Sequence, residues 1–159
     1  MTERIAFDPH KMKDIAAAMH GLQAVVRKST LELSLIELVR TRVSQINGCG
    51  FCIDMHTQEA RAAGETEQRL YLLSAWREAN CYTERERAAL AWAEAVTKLE
   101  HQDVAHPVYA QARSQFGEAE LLALTLAIVE INGWNRFAIP LRYVAGDYRP
   151  GSLAKAHTN

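Results

Sequence analysis

Apolar residues return to one side of the chain every three or four positions along most of its length. The clearest stripe consists of Leu31, Leu35, Val39, Val43 and Ile46. Such spacing places these side chains on one face of a helix, and we expect that face to point to the core. No segment of useful length alternates apolar and polar residues with the period of two that strands require. The pattern therefore predicts an all-α protein of about six or seven helices.

A second stripe, nearer the N-terminus, predicts an amphipathic helix over residues 8–26. Its members are Ile15, Met19, Leu22 and Val26. Asp8 is the expected cap of this helix, because its side chain can accept a backbone N–H group. Pro9 suits the first turn, where its missing N–H would have no helical partner.

Turn and cap residues divide the rest of the pattern into separate helices. Asn47-Gly48 predicts the end of the second helix, and Gly64 predicts the end of a third helix that begins at the cysteines and reaches Ala63. Thr83 is followed three residues later by Glu86, which is the spacing of a capping box. Further helices are predicted over residues 67–76, 84–99, 107–116 and 118–131.

The segment over residues 118–131 is apolar on nearly every side. A helix of this kind lies at the centre of a fold or in a subunit interface. Asn132-Gly133 is expected to stop or kink it, and Pro140 to force another break. The polar residues 146–159 are expected to hold little regular structure. We expect one domain over residues 1–159, with its characteristic motif region at 31–100.

Composition and charge narrow the class of protein. The chain has 159 residues, 48% of them hydrophobic, and a formal net charge of −1. It therefore lacks the basic field that would favour a nucleic acid or an anionic membrane as partner. No apolar run has the length of a signal peptide core or a membrane span. Three cysteines are too few for a secreted disulfide framework, so we expect a cytoplasmic protein.

The candidate chemistry lies in residues 37–56, which hold Cys49 and Cys52 as a Cys-x-x-Cys pair. If the segment from Gly50 is helical, Cys52 and His56 stand one turn apart on one face. A thiol in the first turn of a helix faces free backbone N–H groups and the positive end of the helix dipole, which favour the thiolate. Gly50 gives the backbone freedom to close a disulfide. This arrangement favours a redox site.

Two other interpretations of the cysteine pair stay open on spacing alone. A zinc site would need Cys49, Cys52 and His56, completed by His101 or His106. Alternatively, both cysteines are incidental core residues, since free cysteine is often buried. The redox interpretation is preferred because of the helix start and the adjacent histidine. A thioredoxin fold fits poorly, because it requires strands around the pair.

The remaining polar candidates are weaker when they are taken alone. His56 is favoured as a functional residue because of its place one turn from Cys52. Glu37 by itself is more typical of a solvated partner of Arg40 or Thr41 on its own helix. Cys81 has no cysteine nearby and is expected to be structural or incidental. The group at residues 134–136 is expected to belong to a hydrogen-bond network at a helix end, with a role as a site wall as the weaker alternative.

One motif resembles a known family. Glu37, eleven further residues, Cys49-Gly50-Phe51-Cys52, three further residues and His56 resemble the motif of the AhpD-like alkylhydroperoxidases of the carboxymuconolactone decarboxylase superfamily. The resemblance is strongest over residues 35–99, and the sequence at 132–136 is similar to a stretch in peroxidase-related members. Well-known members carry a histidine at the place of Phe51. The superfamily also includes decarboxylases without the cysteine pair, and the presence of that pair argues against their branch.

This resemblance implies an all-helical fold that assembles into homo-oligomers, often trimers or hexamers, without a metal or organic cofactor. It implies reduction of a small-molecule organic hydroperoxide, with an external dithiol as the reductant. By the family's pattern, Cys52 is the peroxidatic thiol and Cys49 the resolving one. Glu37 and His56 form a proton relay that acts partly through water. The competing hypotheses are a zinc-binding or redox-sensing module without enzymatic activity and a decarboxylase-like lyase.

The helical spacing independently selects the same attacking sulfur. His56 lies one turn from Cys52 and about two turns from Cys49, so a base would act on Cys52. We therefore expect Cys52 to attack the peroxide and form a sulfenic acid, and Cys49 to capture it as a disulfide.

Overall fold

The computed structural model describes residues 2–5, 8 and 10–151, and all regular structure in that part of the chain is helical. The all-α prediction is thus confirmed. Seven α-helices follow one another, at Lys13–Arg27 (α1), Leu33–Asn47 (α2), Gly50–Ala62 (α3), Glu67–Leu72 (α4), Glu84–Lys98 (α5), His106–Gln115 (α6) and Glu118–Leu141 (α7). Single 3-10 turns occupy Leu73–Ala75 and Glu100–Gln102. Among the described helices, none is long and apolar enough to cross a membrane.

Helix α2 is the central element of the fold. It packs against α3, α5 and α7. The stripe predicted for it is confirmed, because Leu35, Val39 and Val43 are all buried. Polar residues of α2 are buried as well, since neighbouring helices cover this helix on several sides. Side chains from α2 can therefore meet side chains from α3 and α7 inside the protein.

The turn between α2 and α3 places the cysteines at the C-terminal end of α2. Helix α2 ends at Asn47, and Gly48 follows with a φ of 72°. This left-handed conformation is readily available only to glycine, which explains the Asn-Gly sequence. The backbone N–H of Cys49 then donates to the carbonyl of Ser44 at 2.9 Å. The predicted turn is confirmed, and it fixes Cys49 at the entrance of α3.

Helix α5 begins at the predicted capping box. The hydroxyl of Thr83 accepts the backbone N–H of Glu86, and the carboxylate of Glu86 accepts the backbone N–H of Thr83. These two backbone donors at the helix end, which lack a partner within the helix, are thereby satisfied. The predicted stop at Gly64 is also confirmed, since this residue has a φ of 98° directly after the cap of α3.

The start of the first helix was predicted wrongly. Helix α1 begins at Lys13, about one turn after the predicted start. The carboxylate of Asp8 accepts the backbone N–H of His10 at 2.9 Å, and its carbonyl accepts the N–H of Met12 at 3.0 Å. Asp8 therefore caps a separate turn before α1. Pro9 lies outside the described residues.

Helix α7 is ten residues longer than predicted, because neither expected interruption ends it. Asn132 stays within the helix and donates its side-chain amide to the carbonyl of Ile128 at 2.9 Å. Gly133 lies against α1, where an added Cβ would come 2.9 Å from Cε of Met19. This glycine thus allows close packing of the two helices. Pro140 falls in the last turn, where the loss of one donor does not prevent the helix from reaching Leu141.

The chain after α7 runs back along α3 without regular structure. Gly146 donates its backbone N–H to Asp54 at 2.8 Å, and Gly151 donates to Glu59 at 3.0 Å. The expected irregular tail is confirmed over residues 146–151. Residues 152–159 lie outside the described part of the chain. The tail adds cover to the outer face of the helix that carries the cysteines.

Candidate active site

The two cysteines of the motif lie together at the entrance of α3. Cys49 is the N-cap residue, and its sulfur accepts the backbone N–H of Cys52 at 3.4 Å. The two Sγ atoms are 2.6 Å apart, and both cysteines are free thiols. Each residue is only 1% exposed. A disulfide between them would need little movement of the backbone, because the sulfurs already face each other.

The surroundings shift the pKa values of the two thiols in opposite directions. A hydrogen bond from Cys52, aided by the Cys52 backbone N–H, lowers the pKa of the Cys49 thiol although burial opposes its ionisation. The same contact raises the pKa of Cys52, and burial and the charge on Cys49 add to this effect. The reduced pair therefore favours a thiolate on Cys49 and a proton on Cys52.

His56 joins the cysteine helix to α2. Its Nδ1 lies 2.8 Å from Oε2 of Glu37, and both residues are buried. Burial opposes ionisation of Glu37, but the hydrogen bond and charge of His56, followed by those of Arg40, outweigh it and lower the pKa of Glu37 from 4.5 to about 2. Glu37 is therefore a carboxylate at neutral pH. The expectation that it is solvated is wrong, although its pairing with Arg40 is present.

The charge of Glu37 fixes the tautomer of His56. A carboxylate can only accept hydrogen bonds, so Nδ1 of His56 must carry the proton that it shares with Glu37. In the neutral imidazole, Nε2 then holds a free lone pair. This Nε2 is buried and has no hydrogen-bond partner among the described residues. A neutral His56 can therefore act as a base through Nε2, which contacts no hydrogen-bonding group that the structure describes.

Arg40 links Glu37 to a second buried carboxylate, that of Glu130. Arg40 donates from Nη1 to Oε1 of Glu37 at 2.8 Å, and from Nε and Nη2 to Oε2 of Glu130 at 3.1 and 2.9 Å. Gln23 of α1 donates to the other oxygen of Glu130 at 2.8 Å. Sequence reasoning missed Glu130. A single glutamate within the apolar run of α7 was the available signal, since an ionised glutamate is almost never fully buried without a partner.

The prediction that residues 134–136 lie at a helix end is wrong, because these residues lie inside α7. Asn135 is fully buried next to the cysteine pair. Its Oδ1 accepts from Nδ2 of Asn47 at 2.7 Å, and its Nδ2 donates to Oγ of Ser44 at 3.3 Å. Arg136 is exposed, and its Nη1 donates a hydrogen bond to Oδ1 of Asn132 at 2.8 Å. The hydrogen-bond network exists, but its inner member faces the site.

The environment of the site includes an apolar ring at the position between the cysteines. Phe51 packs edge-on against Tyr143, with ring centroids 5.6 Å apart. Cys81 is partly buried and packs against a different cluster, which includes Leu73 and Trp76. It is therefore not part of the cysteine pair.

In the described part of the structure, the ligands that the zinc alternative requires do not come together. Among the residues described, no three His, Cys, Asp or Glu side chains are grouped so that they could hold a metal ion. His106 is exposed at the start of α6. The side chain of His101 lies outside the described part of the structure.

Comparison with known proteins identifies a family for more than half of the chain and a relative that matches most of its length. Residues 13–95 match the family model described as the carboxymuconolactone decarboxylase family. The uncharacterized protein YdfG of Bacillus subtilis is 39% identical over 144 residues, which cover 89% of this chain and 95% of YdfG. This similarity extends well beyond the cysteine motif.

Solved structures show the same fold. A protein of unknown function from Agrobacterium tumefaciens, ATU0492, described as a candidate antioxidant defence protein AhpD, is 38% identical with a TM-score of 0.86. That match covers 92% of this chain and all of the other. An uncharacterized peroxidase-related protein from Ralstonia eutropha, described as an alkylhydroperoxidase AhpD core, has a TM-score of 0.77 at 20% identity, over 87% of this chain and 74% of the other. This second likeness concerns the fold alone.

Proposed function

Because the chain belongs to the carboxymuconolactone decarboxylase family and has its AhpD-like fold, we propose that it is a thiol peroxidase for organic hydroperoxides. Cys49 and Cys52 would cycle between two thiols and one disulfide. One observation carries this proposal: the paired sulfurs lie 2.6 Å apart on the helix that also bears His56, whose buried Nε2 lacks a partner in the described structure. The description of the Agrobacterium relative supports the same class of activity.

The first step gives the attacking sulfur its charge. Cys52 holds the proton of the reduced pair, and it lies one turn from His56. Nε2 of His56 takes this proton, and Glu37 stabilises the resulting imidazolium through Nδ1. The Cys52 thiolate then attacks the terminal oxygen of the hydroperoxide, so an S–O bond forms and the O–O bond breaks. The imidazolium returns its proton to the departing alkoxide, which leaves as an alcohol.

The second step closes the disulfide. Cys52 is now a sulfenic acid, and the neighbouring Cys49 favours the thiolate state. Attack of the Cys49 thiolate on the sulfur of Cys52 forms the S–S bond and breaks the S–O bond, and the hydroxide that leaves takes a proton from solvent to become water. The hydroperoxide has gained two electrons, and the two cysteines have lost them. An external dithiol must return these electrons by thiol–disulfide exchange.

Access is part of the proposed cycle. Both sulfurs are almost completely covered, so side chains near the entrance of α3 must move before a hydroperoxide or a dithiol can reach them. The irregular tail over residues 142–151 and the ring of Phe51 lie on this side of the site. Irregular chain held by a few hydrogen bonds opens more easily than a packed helix.

The direct test follows hydroperoxide consumption with a dithiol present. Cys52→Ser should abolish turnover, because it removes the nucleophile. Cys49→Ser should allow one reaction and then stop at the sulfenic acid, which a sulfenic-acid probe would detect. Cys81→Ser serves as the matched control and should keep the parent rate, since Cys81 packs against another cluster. Equal rates in all four proteins would rule out the proposal.

We also propose that the protein forms a homo-oligomer through the outer side of α7. Leu122 and Val129 are 72% and 51% exposed on this helix, although most of its other apolar residues are buried or half-buried. Large apolar side chains in one exposed row are typical of a contact between copies. Light scattering should report a trimer or hexamer in the parent and smaller species after Leu122→Lys. A monomeric parent would contradict this part of the proposal.

A further inference from the structure

Glu130 is a buried carboxylate that the proposed reaction leaves without a role. It lies on α7, where none of its surface is exposed. Its hydrogen-bond partners come from two other helices. Oε1 accepts from Nε2 of Gln23 on α1 at 2.8 Å, and Oε2 accepts from Nε and Nη2 of Arg40 on α2 at 3.1 and 2.9 Å. Contacts from α1 and α2 therefore fix both oxygens of Glu130.

Arg40 divides its donors between two carboxylates. A guanidinium has five N–H donors in one plane. Arg40 uses Nε and Nη2 for Glu130, and it uses Nη1 for Oε1 of Glu37 at 2.8 Å. Oε2 of Glu37 lies 2.8 Å from Nδ1 of His56. One oxygen of Glu37 thus bonds to Arg40, and the other bonds to His56.

If Glu130 did not hold Arg40, we expect the arginine to take both oxygens of Glu37. The two residues are three positions apart on α2, so their side chains are neighbours on one face. The fork of a guanidinium fits a single carboxylate through two parallel hydrogen bonds. Unpaired donors are costly in the interior, so Arg40 would turn its free N–H groups to Glu37. The second oxygen of Glu37 would then be lost to His56.

A structural role alone does not account for the second carboxylate. Glu37 and Arg40 already form a neutral buried pair, so Glu130 adds a buried negative charge that this pair does not need. Burial opposes the charge on Arg40, but the charges of Glu130 and Glu37 outweigh it and raise the pKa of Arg40. The imidazolium that forms when His56 takes the proton of Cys52 would balance the additional negative charge. The cluster is therefore suited to the protonated form of His56.

We infer that Glu130 is a positioning residue that acts through Arg40: by holding two donors of the guanidinium, it leaves Oε2 of Glu37 to His56. The neutral imidazole then keeps its proton on Nδ1 and its lone pair on Nε2. Glu130 takes no part in the bonds that form or break, so its effect on the reaction is indirect. This inference deepens the proposed function and rests on it only for the effect on turnover.

Glu94 provides the matched control. It is also a buried glutamate, and it is held by two arginines, Arg42 at 2.7 Å and Arg77 at 2.6 Å. The contacts of Glu94 in the described structure do not lead to His56. Glu94→Gln and Glu130→Gln therefore each remove one buried charge that arginine holds. An effect of losing any such charge will appear in both variants, whereas a positioning effect will appear only in Glu130→Gln.

The test measures which nitrogen of His56 carries the proton. The reduced protein is labelled with nitrogen-15 in its histidines, and NMR spectra are recorded at a pH at which the imidazole is neutral. The parent should show a protonated Nδ1 and an unprotonated Nε2. In Glu130→Gln, the ratio of the Nδ1–H form to the Nε2–H form should fall about tenfold, the usual worth of one hydrogen bond to a charged group. Because only the Nδ1–H form has a free Nε2, kcat should fall by a similar factor with little change in KM.

The inference is overturned if a folded Glu130→Gln protein keeps the parent ratio, or if Glu94→Gln lowers the ratio equally. Glu130→Asp is a milder variant that keeps the charge. Its side chain is one CH₂ group shorter and cannot hold both donors of Arg40 equally well, so the ratio should fall in the same direction by a smaller factor. A folded Glu130→Asp protein with the parent ratio would also overturn the inference.

A measurement on the parent covers the case in which no variant of Glu130 folds. A guanidinium held by two carboxylates cannot rotate freely, so Nη1 and Nη2 of Arg40 should give separate NMR signals. A single averaged signal would show that Glu130 does not hold Arg40, and it would overturn the inference.

Parallel assays of hydroperoxide consumption separate this inference from the proposed function. A changed tautomer ratio in Glu130→Gln, with a parent protein that does not consume hydroperoxide, would refute only the peroxidase. An active parent whose His56 signals are unchanged in Glu130→Gln would refute only the role of Glu130.

Discussion

Of the three glutamates that are buried in the described part of the chain, Glu94 and Glu37 have surroundings that differ in one decisive respect. Glu94 of α5 accepts from Nε1 of Trp76 at 2.8 Å, from Arg42 at 2.7 Å and from Arg77 at 2.6 Å. Glu37 of α2 likewise accepts from an arginine, at 2.8 Å. Both carboxyl groups have lowered pKa values, because their hydrogen-bond donors outweigh the effect of burial. Burial and ion pairing alone therefore do not distinguish them.

The difference lies in where each chain of hydrogen bonds ends. The chain through Glu94 ends at Arg77, whose side chain is 59% exposed to solvent. The chain through Glu37 ends at His56, whose free Nε2 is on the helix of the two cysteines. A closed network of satisfied groups stabilises a fold, whereas a buried network that ends in an unpaired acceptor is ready to take a proton. In the proposed mechanism, this contrast gives Glu94 a structural role and Glu37 a role in the chemistry.

The largest expected effect comes from breaking the chain at its reactive end. His56→Gln keeps a side-chain N–H that can donate to Glu37 but has no titratable nitrogen. We expect kcat for hydroperoxide reduction to fall by about 10²–10⁴-fold, the usual contribution of a general base or acid, with little change in KM. Steady-state kinetics near neutral pH would measure this. An unchanged kcat would contradict the assignment of His56.

Acid should reveal how strongly the fold depends on the charge of Glu37. Because folding lowers the pKa of Glu37 from 4.5 to about 2, the carboxylate stabilises the native state above pH 4.5, and this stabilisation is lost as the pH falls toward 2. The parent should lose on the order of 3 kcal/mol more than Glu37→Gln over this interval. Urea unfolding at a series of pH values would measure the difference, and parallel curves for the two proteins would contradict it.

Removing the charge of Glu94 should sharpen the contrast. Glu94→Gln leaves Arg42 and Arg77 without their carboxylate, so we expect the free energy of unfolding to fall by about 1–3 kcal/mol. Turnover of the hydroperoxide should stay at the parent value, because the Glu94 network does not reach the cysteines. Urea unfolding and the peroxidase assay on the same preparation would check both statements. A large loss of turnover in a folded Glu94→Gln protein would remove the distinction between the two glutamates.

Features with short-range causes could be predicted from the sequence. The turn at Gly48 follows from a left-handed backbone, and the start of α5 follows from the reciprocal bonds of Thr83 and Glu86. The nearness of Cys52 and His56 follows from helical spacing alone. Each of these features involves residues only a few positions apart, so the local sequence contains all that determines it.

Features that depend on contacts between distant segments could not be predicted in this way. Gly133 looked like a helix stop, but its lack of a side chain serves the packing of α7 against α1. Burial of Glu37 depends on the helices that cover α2, and the hydrogen bonds of Glu130 and Asn135 depend on the register of α7 against α2. Nothing in the local sequence fixes that register. The family resemblance indicated Glu37 as a site residue, but not the two residues of α7.

The central claim is that Cys49 and Cys52 form a disulfide when the protein meets a hydroperoxide. Its most direct test is the mass of the reduced protein before and after one equivalent of an organic hydroperoxide, followed by peptide mapping. The account predicts the loss of two hydrogen atoms per chain, a bond between Cys49 and Cys52, and an unmodified Cys81. An unchanged mass, or oxidation confined to Cys81, would contradict it.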